Sequence, residues 1–373
     1  MLQHNPAPRM AAGLLVILLV SLPGLAAANW LGGITFSHPS PGYLPHGEQV
    51  VVSIDCKVTE PDGVRIYVLP YSGLNPTPGY GTSGSALVPF GESTVTRFFT
   101  INSGTPTVDR VRVRMNTPDN SAQILEFFVR VRYEYGPYGI FNIQLDQVDH
   151  SVLLAGNPLN ILCDYGSPGP EDVRVWARPY RDGELAGGYS ASGGVLGPAS
   201  GTVAQYFGFA SPDVDVDQIR FYMTTPDQSE VLFEMFHPVD YSWREVGITN
   251  IAFSVPSPSM VHYSGNVTAS FLCENDSGQD VRVWIETFED GDYAPDGGWQ
   301  GSDIVGPGTS ALSRFFTSFS RTHVNQARLF VRGDDGETVY VDKLIPVEYL
   351  FSPHVVTNIT LNPEPPALLD NSE

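Results

Sequence analysis

Apolar and polar residues alternate over short runs through most of the chain. In the middle of the chain, Ile161 and Cys163 share one side of a run, and Val173, Val175 and Ala177 share one side of the next. Alternation with a period of two predicts half-buried β-strands, and no convincing helical period follows residue 28. The 37 glycines and 31 prolines suit the turns between such strands. The pattern therefore predicts an all-β protein made of many short strands.

One five-residue pattern occurs three times along the chain. The letters DVRVW stand at Asp172–Trp176 and again at Asp280–Trp284, and the near-copy GVRIY stands at Gly63–Tyr67. The intervals are 109 and 108 residues, and a cysteine and a pair of aromatic residues recur at nearly the same spacing. A unit of this length is an ordinary domain size. We therefore predict three tandem repeats of one unit.

The repeats divide the chain into five parts. We predict a signal peptide at 1–28, repeat 1 at 29–136, repeat 2 at 137–245, repeat 3 at 246–352 and a tail at 353–373. The tail resembles the first strand of a fourth repeat, because Val355–Pro366 matches Gly247–Pro258. A strand without the rest of its sheet is an edge that lacks a partner. Three outcomes are open: a truncated remnant, a strand that folds back on repeat 3, or a strand that completes a sheet in a second molecule.

About seven alternating strands in each repeat predict two packed antiparallel sheets. In this respect the repeats resemble the immunoglobulin-like and fibronectin-type-III-like β-sandwich modules of exported bacterial surface proteins. The resemblance implies three tandem sandwiches arranged as a rod. One feature departs from the immunoglobulin pattern: the position that would hold a disulfide partner for the second-strand cysteine is Met115, Met223 or Val331. We therefore predict buried free thiols at Cys56, Cys163 and Cys273.

The start of the chain and its charge both bear on location. Arg9 in a polar start, an apolar run at Ala11–Leu22 and small residues before Asn29 have the order of a secretory signal peptide. That run is too short to cross a bilayer. The formal net charge of −21 favours solubility and disfavours nucleic acid as a partner. We therefore predict a secreted protein, extracellular or on the cell surface, without a membrane span.

The sequence carries none of the familiar catalytic motifs. H-E-x-x-H, G-x-S-x-G and a phosphate-cradling glycine-rich loop do not occur, and the eight histidines do not recur at one repeat position. We therefore predict no enzyme activity and no cofactor. Acidic loops at Asp213–Asp217, Glu289–Asp296 and Gly333–Glu337 lack the ligand order of an EF-hand, so they allow at most a weak calcium site.

An outward-facing set of arginine, aromatic and acidic residues recurs in the three repeats. If Val64, Val173 and Val281 point into the core, their neighbours in sequence point outwards. This predicted surface set is Arg65, Tyr67, Arg112, Glu126, Arg174, Trp176, Arg220, Glu234, Arg282, Trp284, Arg328 and Asp342. It forms either cross-strand pairs and cation–π stacks that stabilise each sheet, or a platform for a glycan or a neighbouring subunit. A second aromatic set lies in predicted loops, at Tyr80, Tyr189 and Trp299.

Together these features predict a non-catalytic exported protein with a structural or adhesive role at a cell surface, in a matrix or in a fibre. Its partners would be other surface or matrix proteins, glycans, or further copies of the chain joined through the tail. The alternative function is that of an extracellular polysaccharide-binding protein that uses the outward aromatic residues.

Overall fold

The described part of the chain is built from strands. The computed structural model describes residues 28–198, 200–294, 296–302, 304–355 and 368–369. These residues contain 31 strands and no helix, and therefore no helix able to cross a membrane. The alternation of period two thus predicted the all-β fold correctly. The predicted signal peptide, apart from its last residue, lies outside the described residues.

The strands fall into three similar sets and one further strand. In repeat 1 they are β1 (Trp30–Phe36), β2 (Gly42–Pro45), β3 (Gln49–Val58), β4 (Val64–Ser72), β5 (Asn75–Pro76), β6 (Tyr80–Thr82), β7 (Leu87–Val88), β8 (Gly91–Ile101), β9 (Thr107–Asn116) and β10 (Gln123–Gly136). In repeat 2 they are β11 (Gly139–Leu145), β12 (Val152–Leu154), β13 (Pro158–Gly166), β14 (Val173–Arg181), β15 (Glu184–Leu185), β16 (Tyr189–Ala191), β17 (Val195–Gly197), β18 (Ser200–Phe209), β19 (Val214–Thr224) and β20 (Val231–Arg244). In repeat 3 they are β21 (Val246–Phe253), β22 (Ser259–His262), β23 (Val267–Asn275), β24 (Val281–Glu289), β25 (Asp292–Tyr293), β26 (Gly297–Trp299), β27 (Ile304–Val305), β28 (Gly308–Ser318), β29 (Thr322–Gly333) and β30 (Val339–Ser352). The last is β31 (Leu368–Leu369).

Each repeat divides its strands between two sheets. In repeat 1 the orders are β1-β3-β8-β6 and β2-β10-β9-β4-β5, with β7 also paired to β4. The other two repeats use the same orders for their corresponding strands. This partition is that of an immunoglobulin-like sandwich. The sequence pattern predicted the long strands, whereas β2, β5, β6 and β7 have only two to four residues and were not all predicted.

Three clusters of buried apolar side chains fill the space between the paired sheets, and each draws on both sheets of one repeat. Each cluster contains a fully buried tyrosine from the last long strand: Tyr133, Tyr241 or Tyr349. Its hydroxyl group donates a hydrogen bond to a carbonyl oxygen near the start of the same repeat, at 2.9 Å for His38, 2.7 Å for Gln147 and 2.7 Å for Val255. The first and last segments of each repeat are therefore held together.

Repeats 2 and 3 share one continuous sheet. Val152 of β12 pairs with Ser242 in parallel on one side and with Ile248 of β21 in antiparallel on the other. No strand pairing joins repeats 1 and 2 among the described residues; there the backbone of Gly139 lies close to that of Pro45, and the ring of Tyr43 stands edge-on to Phe233 with 6.1 Å between centroids. We call these contacts junction 2–3 and junction 1–2.

The last described strand pairs with the first. β31 runs antiparallel to β1, with Leu368 opposite Leu31 and Leu369 opposite Trp30. Leu368 follows Val355 by 13 residues. Because an extended chain covers at most about 3.6 Å per residue, the end of repeat 3 lies within about 47 Å of β1.

This pairing is not compatible with a straight rod in the single chain. Strands of about ten residues are about 34 Å long, so three sandwiches in a line would separate the two ends by about 100 Å. The array in one chain is therefore bent. The predicted similarity between the tail and the first strand of a fourth repeat falls almost entirely on residues outside the described part of the chain.

Candidate functional site

The predicted surface set lies on the equivalent sheet of each repeat. In repeat 2, Trp176 of β14 stands opposite Tyr222 of β19, which stands opposite Glu234 of β20. Val173 and Val175 of β14 are buried on the other face. The outward side of this strand is therefore the side that the alternation predicted.

Repeat 2 carries a continuous stack of guanidinium groups and rings. Trp176 and Tyr222 are stacked, with 5.8 Å between ring centroids and 3° between ring planes. The guanidinium carbon of Arg220 lies 4.5 Å from the centroid of Tyr222, and that of Arg178 lies 4.6 Å from the centroid of Trp176. Cations over aromatic faces attract the ring quadrupole, so the stack stabilises the outer face of the sheet.

Arg220 and Trp176 were predicted to lie on this face, whereas Arg178 and Tyr222 were not. Both follow the same outward parity, on β14 and β19, so the alternation itself would have found them. The stack continues to Tyr180, 5.9 Å from Arg220.

Repeats 1 and 3 carry shorter versions of the stack. In repeat 1, Arg114 lies 5.4 Å from the ring of Tyr67. In repeat 3, Arg328 lies 4.4 Å from the ring of Phe330, whose centroid is 5.9 Å from that of Trp284. An arginine beside an aromatic ring is thus a shared feature of the three outer faces.

The arginine of the last-but-one long strand (β9, β19 or β29) pairs with the acidic residue of the last long strand (β10, β20 or β30) in every repeat. Arg112 lies 3.6 Å from Glu126, and Arg220 donates to Glu234. Arg328 donates from two nitrogens to the two oxygens of Asp342, both at 2.6 Å. The hydrogen bonds and charge of Asp342, with a smaller opposing effect of burial, raise the pKa of Arg328. These pairs connect neighbouring strands within one repeat.

The other arginines of the surface set donate hydrogen bonds to a turn. The Nε atoms of Arg65 and Arg174 donate to the carbonyl oxygens of Pro118 at 2.6 Å and Pro226 at 2.7 Å. In repeat 3 the corresponding arginine, Arg282, donates instead to the carboxylate of Asp334 at 2.7 Å. These three arginines therefore hold the hairpin between the last two long strands of each repeat.

The second aromatic set lies on short strands and not in loops. Tyr80, Tyr189 and Trp299 belong to β6, β16 and β26, each of which pairs with the following long strand. These strands were not predicted, because they lie in a run of glycine and serine that was interpreted as a loop. Trp299 is 41% exposed and stacks on Tyr293 with 6.1 Å between centroids, so one ring face is available to solvent.

The three cysteines are free and buried at equivalent positions. Burial raises the pKa of Cys163 to about 12 and that of Cys273 to about 11, and it raises the pKa of Cys56. A thiol with a raised pKa is a poor nucleophile at neutral pH, because the reactive form is the thiolate. These side chains serve as small apolar residues of the three clusters.

Two further features bear on a binding role. No group of three or more His, Cys, Asp or Glu side chains that could hold a metal ion occurs among the described residues. A cavity of about 500 Å³ lies at junction 1–2, with Pro41, Phe141, Met235 and His237 among its lining residues. This cavity was not predicted from the sequence, because its walls come from both repeats.

Comparisons with known proteins give no family. No family model matches the chain, and no curated protein matches it. Among solved structures, Escherichia coli alpha-2-macroglobulin in its native conformation is similar over 90% of this chain and 23% of its own length, with 12% identity and a TM-score of 0.31. A marsupial T cell receptor is similar over 84% of this chain and 100% of its own, with 8% identity and a TM-score of 0.22. The chain spans about a quarter of the macroglobulin. The immunoglobulin-like character of the fold rests on the strand order and the cores described above.

Proposed function

We propose that this chain is a non-catalytic exported protein with a structural or adhesive role at a cell surface, in a matrix or in a fibre. Its body is three tandem immunoglobulin-like or fibronectin-type-III-like sandwiches, which form a rod when the two ends of the array are free. Its partners are other surface or matrix proteins.

One observation carries the proposal. In all three repeats the outward arginine of the last-but-one long strand is paired with a carboxylate in its own sheet, as Arg112, Arg220 and Arg328 are. Groups that already neutralise each other contribute to the rigidity of a repeated scaffold and offer little free charge to a substrate. A scaffold repeated three times with equivalent internal bonding suits a protein whose role is to span a distance or to present a surface.

The proposal is tested by the location of the protein and by its effect on the attachment of cells to a surface. Antibodies against the purified protein should label intact cells of the producing organism or the surrounding medium. A strain that lacks the gene should attach less well to a surface, and attachment should return with the gene. A cytoplasmic location, or attachment that is unchanged by the deletion, contradicts the proposal.

A second function is favoured by the open ring face of Trp299 in repeat 3. Flat aromatic faces stack on sugar rings, and Trp299 is 41% exposed, whereas guanidinium groups already lie over the rings of Trp176 and Tyr222 in repeat 2. If the protein binds an extracellular polysaccharide, Trp299→Ala should weaken retention on a glycan array. Tyr293→Ala, which removes the ring behind it, should weaken retention less. Equal retention of both variants and the unchanged protein excludes this platform.

A further inference from the structure

The outer edge of the first strand takes an added strand in repeats 1 and 3. Leu31 of β1 and Ile248 of β21 are equivalent, because each pairs on its inner side with the cysteine of its repeat, Cys56 or Cys273. On the outer side, Ile248 pairs with Val152 of the preceding repeat. Leu31, in the first repeat of this chain, pairs with Leu368 of β31. The same edge position thus takes an added strand in both repeats.

The residue that precedes Leu31 differs from the residue at the equivalent position of repeats 2 and 3. It is Gly139 in repeat 2 and Gly247 in repeat 3, and it is Trp30 in repeat 1. A Cβ atom would lie 2.6 Å from the backbone nitrogen of Pro45 at Gly139 and 2.8 Å from that of Leu154 at Gly247. The glycines therefore admit the close approach of a preceding repeat. Trp30 does not admit it, so β1 is shaped to accept an extended segment and not a folded repeat.

We propose that the outer edge of β1 is a strand-docking site, and that its occupant is the extended apolar segment Leu368–Leu369 of the chain's own tail. Main-chain hydrogen bonds give such strand addition its affinity, and apolar side chains alternate across the added strand. The docked segment ties repeat 3 to repeat 1 and keeps the array bent. Release of the segment frees both ends of the array. This inference does not depend on the adhesive role proposed above.

The test uses the full chain and a peptide that carries the same segment. A double variant, Leu368→Pro with Leu369→Pro, removes the two backbone N–H groups of β31 and leaves the three repeats intact. A fluorescent peptide of residues 363–373 is then titrated into the unchanged protein and into the double variant, with anisotropy as the signal. A tethered segment competes at millimolar effective concentration, so the peptide should bind the variant about tenfold or more tightly than the unchanged protein. The control peptide carries the same two proline substitutions and should bind neither protein.

Two further measurements make the result specific. Small-angle X-ray scattering should give a larger radius of gyration for the double variant, because its array is no longer held bent. Adding Trp30→Pro to the double variant should abolish peptide binding, while the thermal melt reports whether repeat 1 is still folded.

The inference is overturned if the peptide binds both proteins equally, if it binds neither, or if the control peptide binds as well. It is also overturned if light scattering shows that the unchanged protein is an oligomer and the double variant a monomer. In that case the segment enters β1 of a second copy, and the fibre arrangement replaces the bent single chain.

Discussion

The two junctions between repeats use equivalent positions but different chemistry. At junction 2–3, Lys343 donates to the carboxylate of Asp240, and Nδ1 of His150 lies 2.7 Å from the same carboxylate. One repeat earlier, at junction 1–2, the positions of Lys343 and Asp240 hold Met235 and Arg132. Arg132 is among the residues that line the cavity at junction 1–2, and it pairs with Glu134 at 2.6 Å.

The difference extends to the packing of the linking strand. Val152 of β12 is 2% exposed and belongs to the apolar cluster of repeat 3, so junction 2–3 is a continuation of a core and a sheet. Tyr43 of β2 is only half-buried, and a cavity of about 500 Å³ remains beside it at junction 1–2. One repeat unit therefore supports two kinds of junction: one closed by a sheet and an ion pair, the other by rings around a void.

The largest expected effect comes from the feature that both junctions share. Gly139→Val and Gly247→Val each place side-chain carbon against the backbone of the preceding repeat. Overpacking against backbone costs more than overpacking against a flexible side chain, so we expect a loss of about 2–4 kcal/mol in each case. Denaturant melts measure the loss, with Gly187→Val as control because no atom lies within 4 Å of a Cβ built there.

The losses of stability from these two substitutions also show which junction is more tightly packed. If the close approach at Gly139 is as essential as that at Gly247, both variants lose stability to a similar extent. A loss at Gly247 alone would show that junction 1–2 opens to accommodate the side chain. Losses no larger than that of the control would mean that neither junction is tight.

A smaller effect is expected from the ion pair of junction 2–3. Lys343→Met introduces the residue found at the equivalent position of junction 1–2 and leaves Asp240 without its cation. Lys343 is only 9% exposed, but Asp240 is nearly half-exposed and water replaces part of the interaction. We therefore expect a loss of about 1–2 kcal/mol in denaturant melts.

The chain offers a matched control for that substitution. Its other lysine, Lys57, pairs with Glu92 at the surface at 3.5 Å. Lys57→Met should change stability by less than about 0.5 kcal/mol. Equal effects at the two lysines would show that junction 2–3 does not depend on its ion pair.

The same pair predicts a dependence on pH. Burial by itself raises the pKa of Asp240, but hydrogen bonds from His150 and Lys343 and the charge of Lys343 outweigh it and lower the pKa to about 2. Because the pKa in the folded state is below the usual value of about 3.9, the stabilisation is present above pH of about 4 and is lost as pH falls towards 2. The difference in stability between the unchanged protein and Lys343→Met should therefore shrink over that range. A difference that stays constant down to pH 2 would mean that Asp240 is not the partner that matters.

The sequence predicted the features that repeat and missed those that join the repeats. Alternation placed Trp176 and Arg220 on the outer face, because strand parity is a local property. The spacing of the DVRVW pattern predicted the three units, because a recurring pattern can be read from the sequence alone. The cavity at junction 1–2 and the pairing of β31 with β1 depend on contacts between residues far apart in sequence, which no local pattern encodes. The glycines at 139 and 247 were the available signal, since their equivalent in repeat 1 is Trp30.

The smallest expected effect comes from transplanting the ion pair to junction 1–2. Met235→Lys combined with Arg132→Asp recreates, one repeat earlier, the residues of junction 2–3. Each single substitution should be neutral or unfavourable, because Met235→Lys brings a charge to an apolar cavity and Arg132→Asp gives up the pair with Glu134. The double variant should be more stable than the sum of the two changes by about 0.5–1 kcal/mol, as a partly exposed ion pair contributes. A double-mutant cycle from denaturant melts measures this coupling free energy. Zero coupling would show that the cavity holds the two positions too far apart, and that the junctions differ in geometry as well as in sequence.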